Sequence, residues 1–378
     1  MRSLAREGVP VVGFSYSREH FGRFSRLVQV HCLDRTLSAE RLASILTECR
    51  SGDKGKPVLL AASDEFAFLV AQRREQLAKH FAFHSVSGET ALKVFDKFEM
   101  SWLCEQAGIL CPRTHITVTS EDIDQTARTF PFPCIVKPAR SFRTAFPPRR
   151  KNYVAVSPAA LLRFYEHHPG LVGTTLWQEF IKGGDEEIVQ CNVLIGESGE
   201  TRAVCGVRKL RQYPPGCGNM CFGRTEANDI TASQGLKLLR FLRYRGLASL
   251  EFKRQPDDNR YYFIEMNARL PWYCALFADA GVNLPYLAYL DLTGNGRGKY
   301  MYCKQQDGVH WMNARDDLRS SFGSLRLQPR SVLQWMRSLA RTRCFAWWSP
   351  RDPAPFLCST VSWLGAAFFQ RRAGPRAD

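Results

Sequence analysis

The sequence lacks the features of a membrane-spanning or secreted protein. Its 378 residues contain no uninterrupted run of the roughly 18 to 20 apolar residues that a bilayer crossing requires. The first residues, MRSLAREGVPVVGFS, carry charges where a signal peptide would have its apolar segment. The thirteen cysteines are scattered, which predicts reduced thiols in a cytoplasmic protein rather than a disulfide framework.

Metal-binding cysteine clusters, internal repeats and low-complexity tracts are also missing. Cys217 and Cys221, in CGNMC, are the most closely spaced cysteines, and no second ligand pair follows them nearby. Because a structural zinc site needs four ligands, the sequence disfavours zinc binding at this segment.

Positive charge is the most unusual feature that is present. The formal net charge is +16, from 52 Lys and Arg against 36 Asp and Glu. This excess favours polyanionic partners, which include nucleotide phosphates, acidic substrates, anionic lipid and nucleic acid. The hydrophobic fraction of 45% is typical of a globular protein, and the length predicts two or three subdomains.

Residues 1–85 alternate between helix and strand signals. A helix ending at Gly8 is predicted first, followed by a buried strand over 9–15, further strands over 26–31 and 57–62, and helices over 39–50 and 64–79. This order is typical of a βαβ open parallel sheet. Such a domain normally begins with a strand, so we expect the first strand to be absent or to precede a misplaced start.

The next part of the chain predicts a mixed α+β region. We predict helices over 90–108, 157–168 and 230–244, and strands over 131–139, 174–181, 187–195 and 201–211. The segment 213–223 is rich in glycine and proline and predicts a mobile loop that covers a site. A hairpin follows over 249–267, with PDDN as its turn.

The second strand of this hairpin ends in Glu265, Met266 and Asn267. Since side chains alternate along a strand, Glu265 and Asn267 face the same side, and antiparallel pairing brings Glu251 alongside. Carboxylate and amide oxygens suit Mg²⁺. Lys137, in the apolar strand IVKP, is costly to bury unless it meets an anion.

Several segments together resemble the ATP-grasp superfamily. From about Asp96 to Gly296, DKF, PFPCIVKP, QEFI with Gly183 and Glu187, RKLRQYPPG, ASLEF and FIEMNARL occur in the order of that family. RKLRQYPP and the EMNARL ending most resemble its predicted carboligase branch, which includes D-aspartate ligases and homologues from polysaccharide clusters. This resemblance covers a little over half of the chain.

The resemblance implies a role for each matching position. The residues that would contact ATP phosphates, the adenine pocket or the ribose are Lys97, Lys137, Gln178, Glu179, Phe180, Ile181 and Glu187. The residues that would hold one or two Mg²⁺ ions, with Mn²⁺ as an alternative, are Glu251, Glu265 and Asn267. The basic residues that would stabilise the γ-phosphate, the acyl phosphate or the substrate carboxylate are Arg208, Lys209, Arg211 and Arg269. Strand alternation leaves open whether Arg208 points inward with Leu210, or Lys209 with Arg211.

The implied fold is α/β: an N-terminal βαβ domain (1–85), then an ATP-grasp domain (86–300) whose α+β subdomains, about 112–183 and 184–300, clasp ATP. The implied activity is ATP-dependent joining of a small-molecule carboxylate to an amine through an acyl phosphate, with an amino acid and a cell-envelope or polysaccharide intermediate as candidate substrates. The alternative is a non-catalytic ATP-binding module that associates with a membrane or nucleic acid. The sequence has no nucleic-acid-reading motif, which disfavours that partner.

Two basic segments leave alternatives open. The loop SFRTAFPPRR contains Arg143, Arg149 and Arg150, follows Arg140, and predicts either a phosphate contact or a solvated surface. The extension 301–378 is rich in arginine and tryptophan. It predicts either a C-terminal helix packed on the core or peripheral contact with the anionic inner face of a membrane.

Overall fold

The computed structural model describes residues 1–17, 21–34, 37–48, 55–84, 90–116, 119–140, 152–295, 304–322 and 329–372. Its described helices and strands form an N-terminal unit, a four-stranded sheet and a seven-stranded sheet. Among these residues, none of the helices combines the length and the hydropathy needed to cross a bilayer.

The N-terminal unit has a small parallel sheet. Its elements are α1 (Arg2–Ala5), β1 (Val12–Ser15), a 3₁₀ turn (Phe21–Phe24), β2 (Gln29–Cys32), α2 (Ala39–Glu48), α3 (Asp64–Gln72) and α4 (Arg74–Leu77). β1 and β2 pair in parallel, as predicted, but β1 is exposed or half-buried rather than buried. The strand predicted over 57–62 forms only an isolated bridge between Val58 and Ala82. The helix predicted over 64–79 is interrupted at Arg73, so two helices form instead of one.

The four-stranded sheet has the order β3-β6-β4-β5 and is antiparallel. Its elements are α5 (Thr90–Lys93), α6 (Lys97–Gln106), β3 (Thr114–Ile116), α7 (Ser120–Ala127), β4 (Cys134–Pro138), β5 (Tyr153–Ala155), α8 (Pro158–His167), a 3₁₀ turn (Pro169–Leu171) and β6 (Thr175–Glu179). The side chain of Asp96 accepts hydrogen bonds from the backbone N–H groups of Phe98 and Glu99 and fixes where α6 begins. Lys97 is therefore held at the helix start.

The seven-stranded sheet has the order β11-β10-β7-β8-β9-β12-β13. Its elements are a 3₁₀ turn (Asp185–Glu187), β7 (Ile188–Ile195), β8 (Thr201–Tyr213), β9 (Asn219–Thr225), α9 (Asp229–Phe241), β10 (Gly246–Gln255), β11 (Arg260–Asn267), α10 (Cys274–Asp279), α11 (Leu284–Thr293), β12 (His310–Met312), α12 (Ala314–Phe322), α13 (Pro329–Arg341), β13 (Thr342–Phe345) and α14 (Ala354–Arg372). The loop predicted over 213–223 is shorter than expected, because β9 already begins at Asn219.

Helices cover both faces of the large sheet. Leu238 and Leu239 of α9 belong to one core cluster, together with Val189 of β7. Leu276 of α10 belongs to a second cluster, together with Leu194 of β7. Because β7 lies between two apolar layers, all eight of its residues are buried.

The segment beyond residue 300 contributes to the same sheet. β12 pairs with β9 and with β13, and Asp352, before α14, lies 3.6 Å from the Nε of Arg2. The described strands on both sides of residue 300 are therefore hydrogen-bonded into one sheet, and the domain limits stay predictions.

Candidate active site

Two glutamates face each other on the β10–β11 hairpin. Glu251 lies directly opposite Glu265 in the antiparallel register, as the hairpin pattern predicted. Glu251 is buried, and its Oε2 accepts a hydrogen bond from the Nε2 of Gln190 at 2.9 Å. The hairpin thus places two carboxylates side by side at one edge of the large sheet.

Of the three basic residues over 208–211 on β8, Lys209 contacts Glu251 of this pair. Its Nζ lies 3.0 Å from Oε2 of Glu251. Arg208 makes a different contact: its Nε donates to Glu226 at 2.6 Å. Alternation along the strand explains this difference, because neighbouring side chains point to opposite faces.

Arg211 does not follow Lys209 as regular alternation would require. Lys209 pairs with Gly223 and Arg211 pairs with Phe222, so Leu210 is the extra residue of a β-bulge. Arg211 donates to both carboxylate oxygens of Asp317, at 2.7 and 2.9 Å. Among the described contacts, the structure brings Lys209 to Glu251 and directs Arg211 to α12.

Lys137 and Lys97 approach the same site from the smaller sheet. Lys137 is buried on β4, and its Nζ donates to Oε1 of Gln178 at 2.5 Å. Burial lowers the pKa of Lys137 to about 8. Burial also lowers the pKa of Lys97, whose Nζ donates to the carbonyl of Pro138 at 3.2 Å.

Glu265 lies within the field of all these lysines. Burial alone would raise its pKa, but the charges of Lys97, Lys137 and Lys209 hold the pKa of Glu265 below its usual value. Taken by themselves, these three lysines and the two glutamates, Glu251 and Glu265, carry an excess of one positive charge. This enclosed positive charge suits a polyanion accompanied by a divalent cation.

Asn267 and Arg269 continue the line of polar groups beyond Glu265. The Nδ2 of Asn267 donates to Oε1 of Glu265 at 3.3 Å, and its Oδ1 accepts from Arg269 at 3.0 Å. The guanidinium of Arg269 also donates to both oxygens of Asp64, at 2.8 and 3.3 Å. Asp64 is the first residue of α3, so the N-terminal unit helps to orient Arg269.

The predicted adenine segment lies at the end of β6. Gln178 is buried beside Lys137, and Ile181 is buried further along the chain. Oε2 of Glu179 accepts from the backbone N–H of Arg113 at 3.3 Å. The ring of Phe180 lies 5.0 Å from the Nζ of Lys253.

Glu187, the predicted ribose contact, is paired with an arginine. Its two carboxylate oxygens accept from Arg254 at 2.7 and 3.0 Å. These hydrogen bonds lower the pKa of Glu187. The carboxylate is therefore ionised, and its role toward ribose stays a prediction.

The other predicted ligand sites have different outcomes. Among the residues that the structure describes, no three His, Cys, Asp or Glu side chains are grouped as metal ligands. Arg140 pairs with Asp96 at 2.9 Å. Arg143, Arg149 and Arg150 lie outside the described residues.

The chain is similar to several known proteins. Residues 224–286 match the family model described as carbamoyl-phosphate synthase L chain, ATP binding domain. A D-aspartate ligase of Enterococcus faecium (strain Aus0004) is 24% identical over 264 residues, which cover 65% of this chain and 62% of that protein. The match thus spans less than two thirds of the ligase.

Two solved structures show the same arrangement of elements. The biotin carboxylase domain of Hydrogenobacter thermophilus 2-oxoglutarate carboxylase, crystallised with MgADP and bicarbonate, has a TM-score of 0.60 at 16% identity, covering 82% of this chain and 69% of that chain. N5-carboxyaminoimidazole synthetase of Staphylococcus aureus, crystallised with ADP, has a TM-score of 0.59 at 14% identity, covering 83% and 79%. The chain has the ATP-grasp fold. The predicted α/β class and the predicted ATP-grasp resemblance are confirmed.

The sequence analysis did not identify several polar residues of this candidate site. Gln190 and Asn192 lie two positions apart on β7, and Tyr273 follows the hairpin. Two polar residues at this spacing in a buried apolar strand were a usable signal, because both face the same side. Asp64 had no such signal, since its contact with Arg269 joins positions 205 residues apart.

Proposed function

We propose that the protein is an ATP-dependent carboxylate–amine ligase that forms an acyl phosphate and releases ADP. The observation that carries this proposal is the enclosed group of Lys97, Lys137 and Lys209 around Glu251 and Glu265. Buried lysines are costly without anions, and a nucleotide polyphosphate supplies them. The similarity to a D-aspartate ligase supports the same class of reaction.

The side chains of this site suit phosphoryl transfer. A carboxylate is a poor electrophile, and phosphorylation gives it a good leaving group. The transfer requires positioning and charge neutralisation more than covalent help from the protein. Lys97 and Lys137 would bind the α- and β-phosphates, and Lys209 would stabilise the γ-phosphate.

The donor set fits a divalent cation. Glu251, Glu265 and Asn267 provide the hard oxygen ligands that Mg²⁺ prefers, and Mn²⁺ accepts the same ligands. Among the contacts of the described residues, no arginine pairs with Glu265, and its hydrogen bond comes from Asn267. The Glu265 carboxylate is therefore available to bind a cation. Bound there, one or two Mg²⁺ ions would neutralise phosphate charge and orient the nucleotide.

The remaining predicted residues complete the proposal. Arg269, held by Asp64 and Asn267, would bind the substrate carboxylate or its acyl phosphate. Gln178, Glu179, Phe180 and Ile181 would line the adenine pocket, and Glu187 would contact ribose. Arg208 and Arg211 would not contact the phosphates directly. They would support the site through their ion pairs with Glu226 and Asp317.

For the substrate, we propose an amino acid joined to a cell-envelope or polysaccharide intermediate. The D-aspartate ligase relative supports an amino-acid substrate, and a small peptide or metabolite product is the other candidate. A cytoplasmic location, where ATP is available, belongs to the same proposal.

The test is release of ADP from Mg-ATP with a panel of amino acids and small carboxylates. Glu265→Gln keeps the shape of the side chain but removes its charge, and we expect turnover to fall by about a hundredfold or more. Glu200→Gln is the matched control, because Glu200 also pairs with an arginine, Arg202, but lies at the other end of β8 from Lys209. Substrate-dependent ADP release that survives in Glu265→Gln would refute the proposed role of Glu265.

A second proposal concerns the C-terminal segment. Leu333 and Met336 are each 55% exposed on α13, three residues apart and therefore on one face. Arg337 and Arg341 are exposed on the same helix. An apolar face bordered by arginines favours peripheral contact with an anionic lipid surface.

A further inference from the structure

A chain of buried polar groups lies behind Glu251. Its members are Tyr273, Gln190, Asn192 and Ser249, which are 2%, 7%, 1% and 2% exposed. They come from β7, β10 and the residue that precedes α10. Polar side chains this deeply buried are costly unless their hydrogen bonds are satisfied.

Two hydrogen bonds of this group lead from Tyr273 through Gln190 to Glu251. The hydroxyl of Tyr273 lies 2.6 Å from Oε1 of Gln190 and 3.2 Å from Oδ1 of Asn192. With its Oε1 accepting from Tyr273, Gln190 presents its Nε2 to Glu251, where it donates at 2.9 Å. Because the Glu251 carboxylate can only accept, the Nε2 of Gln190 faces it, and the hydroxyl of Tyr273 anchors this orientation by donating to the Oε1 of Gln190.

The Tyr273 hydroxyl is itself held rigidly. Its ring makes edge contacts with Phe277 and Trp311, with centroid separations of 5.5 and 6.0 Å. Burial raises the pKa of Tyr273, so the phenol remains a neutral donor. Packing of the ring and hydrogen bonding of the hydroxyl thus both restrain the position of the Tyr273 oxygen.

Glu251 is consequently restrained by two donors. Gln190 occupies Oε2, and the Nζ of Lys209 lies 3.2 Å from Oε1 and 3.0 Å from Oε2. A ligand carboxylate that is oriented by outer hydrogen bonds keeps one lone-pair direction available for a cation.

We propose that Tyr273 and Gln190 are positioning residues, which orient Glu251 so that it can bind the divalent cation of the nucleotide complex. This inference rests on the proposed ligase function. It assigns a role to two residues outside the motifs shared with the ATP-grasp superfamily.

The test measures the affinity for Mn²⁺ in the presence of saturating ADP, by electron paramagnetic resonance of free Mn²⁺. Tyr273→Phe removes one neutral hydrogen bond, and we expect it to weaken Mn²⁺ binding about two- to tenfold. Gln190→Met removes the donor that contacts Glu251, and we expect a loss of about ten- to a hundredfold. In turnover, the KM for the cation should rise more than kcat falls.

Tyr244→Phe is the matched control. Tyr244 is also a buried tyrosine, 4% exposed, and its hydroxyl donates to the carbonyl of Leu247 at 2.8 Å. Because Tyr244→Phe also removes one buried hydroxyl, it should lower the stability of the protein by a similar amount. Tyr244 belongs to the core cluster on the other face of the large sheet from Tyr273, so the variant should keep wild-type Mn²⁺ affinity.

The outcomes separate this inference from the proposed function. If the wild type binds Mn²⁺ with ADP but Tyr273→Phe and Gln190→Met bind it equally well, the positioning role is wrong and the ligase proposal stands. If the wild type binds no Mn²⁺ with ADP, both proposals fail.

Discussion

At the scale of single residues, Lys137 shows how a sequence can reveal a site. β4 carries it among buried neighbours, where a lysine without an anion is costly. The apolar strand IVKP therefore predicted an anion beside it, and the structure places Glu265 within its electrostatic reach. Residues such as Asp64 could not be predicted, because their partners are distant in sequence and depend on how two units pack.

The pKa of Lys137 leads to a pH prediction. Burial lowers this pKa to about 8, so the ammonium group loses its proton as the pH rises through that value. If the charged form binds phosphate, the Kd for ADP should increase by up to about tenfold between about pH 7 and about pH 9. Isothermal titration calorimetry measures this directly.

Two variants control the pH experiment. Lys137→Arg keeps a positive charge over this range, so its Kd should change little with pH. Lys137→Met should bind weakly at every pH. A Lys137→Met variant with the same pH dependence as the wild type would assign the titration to another group.

At the scale of elements, the bulge on β8 determines which basic residues of 208–211 face the site, which the alternation of side chains along the strand left open. Regular alternation places Lys209 and Arg211 on one face, whereas the extra residue Leu210 sends Arg211 to Asp317. A bulge depends on the pairing of both strands, which one strand's sequence does not show. The facing of Glu251 and Glu265 was predictable, because a short turn fixes the register of a hairpin.

The same contact predicts how strongly α12 is attached. Asp317 has no exposed side-chain surface, and Arg211 is 27% exposed. Asp317→Ala leaves the arginine without its partner, so we expect unfolding by urea to show a loss of about 2 to 4 kcal/mol. We expect the loss of stability to lie in the lower part of this range, because water reaches Arg211 and screens its charge.

Asp124→Ala is the control for this measurement. Asp124 also pairs with an arginine, Arg128, but the two side chains are 58% and 76% exposed. Its loss should change the stability by less than about 0.5 kcal/mol. Equal effects of the two variants would show that the Arg211 pair does not anchor α12.

At the scale of the whole molecule, the segment beyond residue 300 was the hardest to predict. Its family resemblance is thin, and the two short strands β12 and β13 are recognisable only because β9 pairs with β12. Strands of three and four residues have too little pattern to predict a sheet position. The segment nevertheless places Trp311 in the core beside Tyr273.

This placement determines how the lipid proposal should be tested. Cutting the chain after Gln328 would also remove β13 from the sheet and Asp352 from Arg2. Replacing exposed side chains leaves those contacts in place. We therefore choose the double variant Leu333→Ser, Met336→Ser on α13, which keeps every arginine.

If α13 lies on anionic lipid, the wild type should co-sediment with phosphatidylserine-containing vesicles and much less with phosphatidylcholine alone. Removing the two apolar side chains should weaken binding by at least about tenfold, since each contributes through burial in the interface. The matched control replaces Val156 and Ile230, which are 71% and 54% exposed elsewhere, by serine. If both double variants sediment like the wild type, the apolar face of α13 does not bind the lipid and this proposal is wrong.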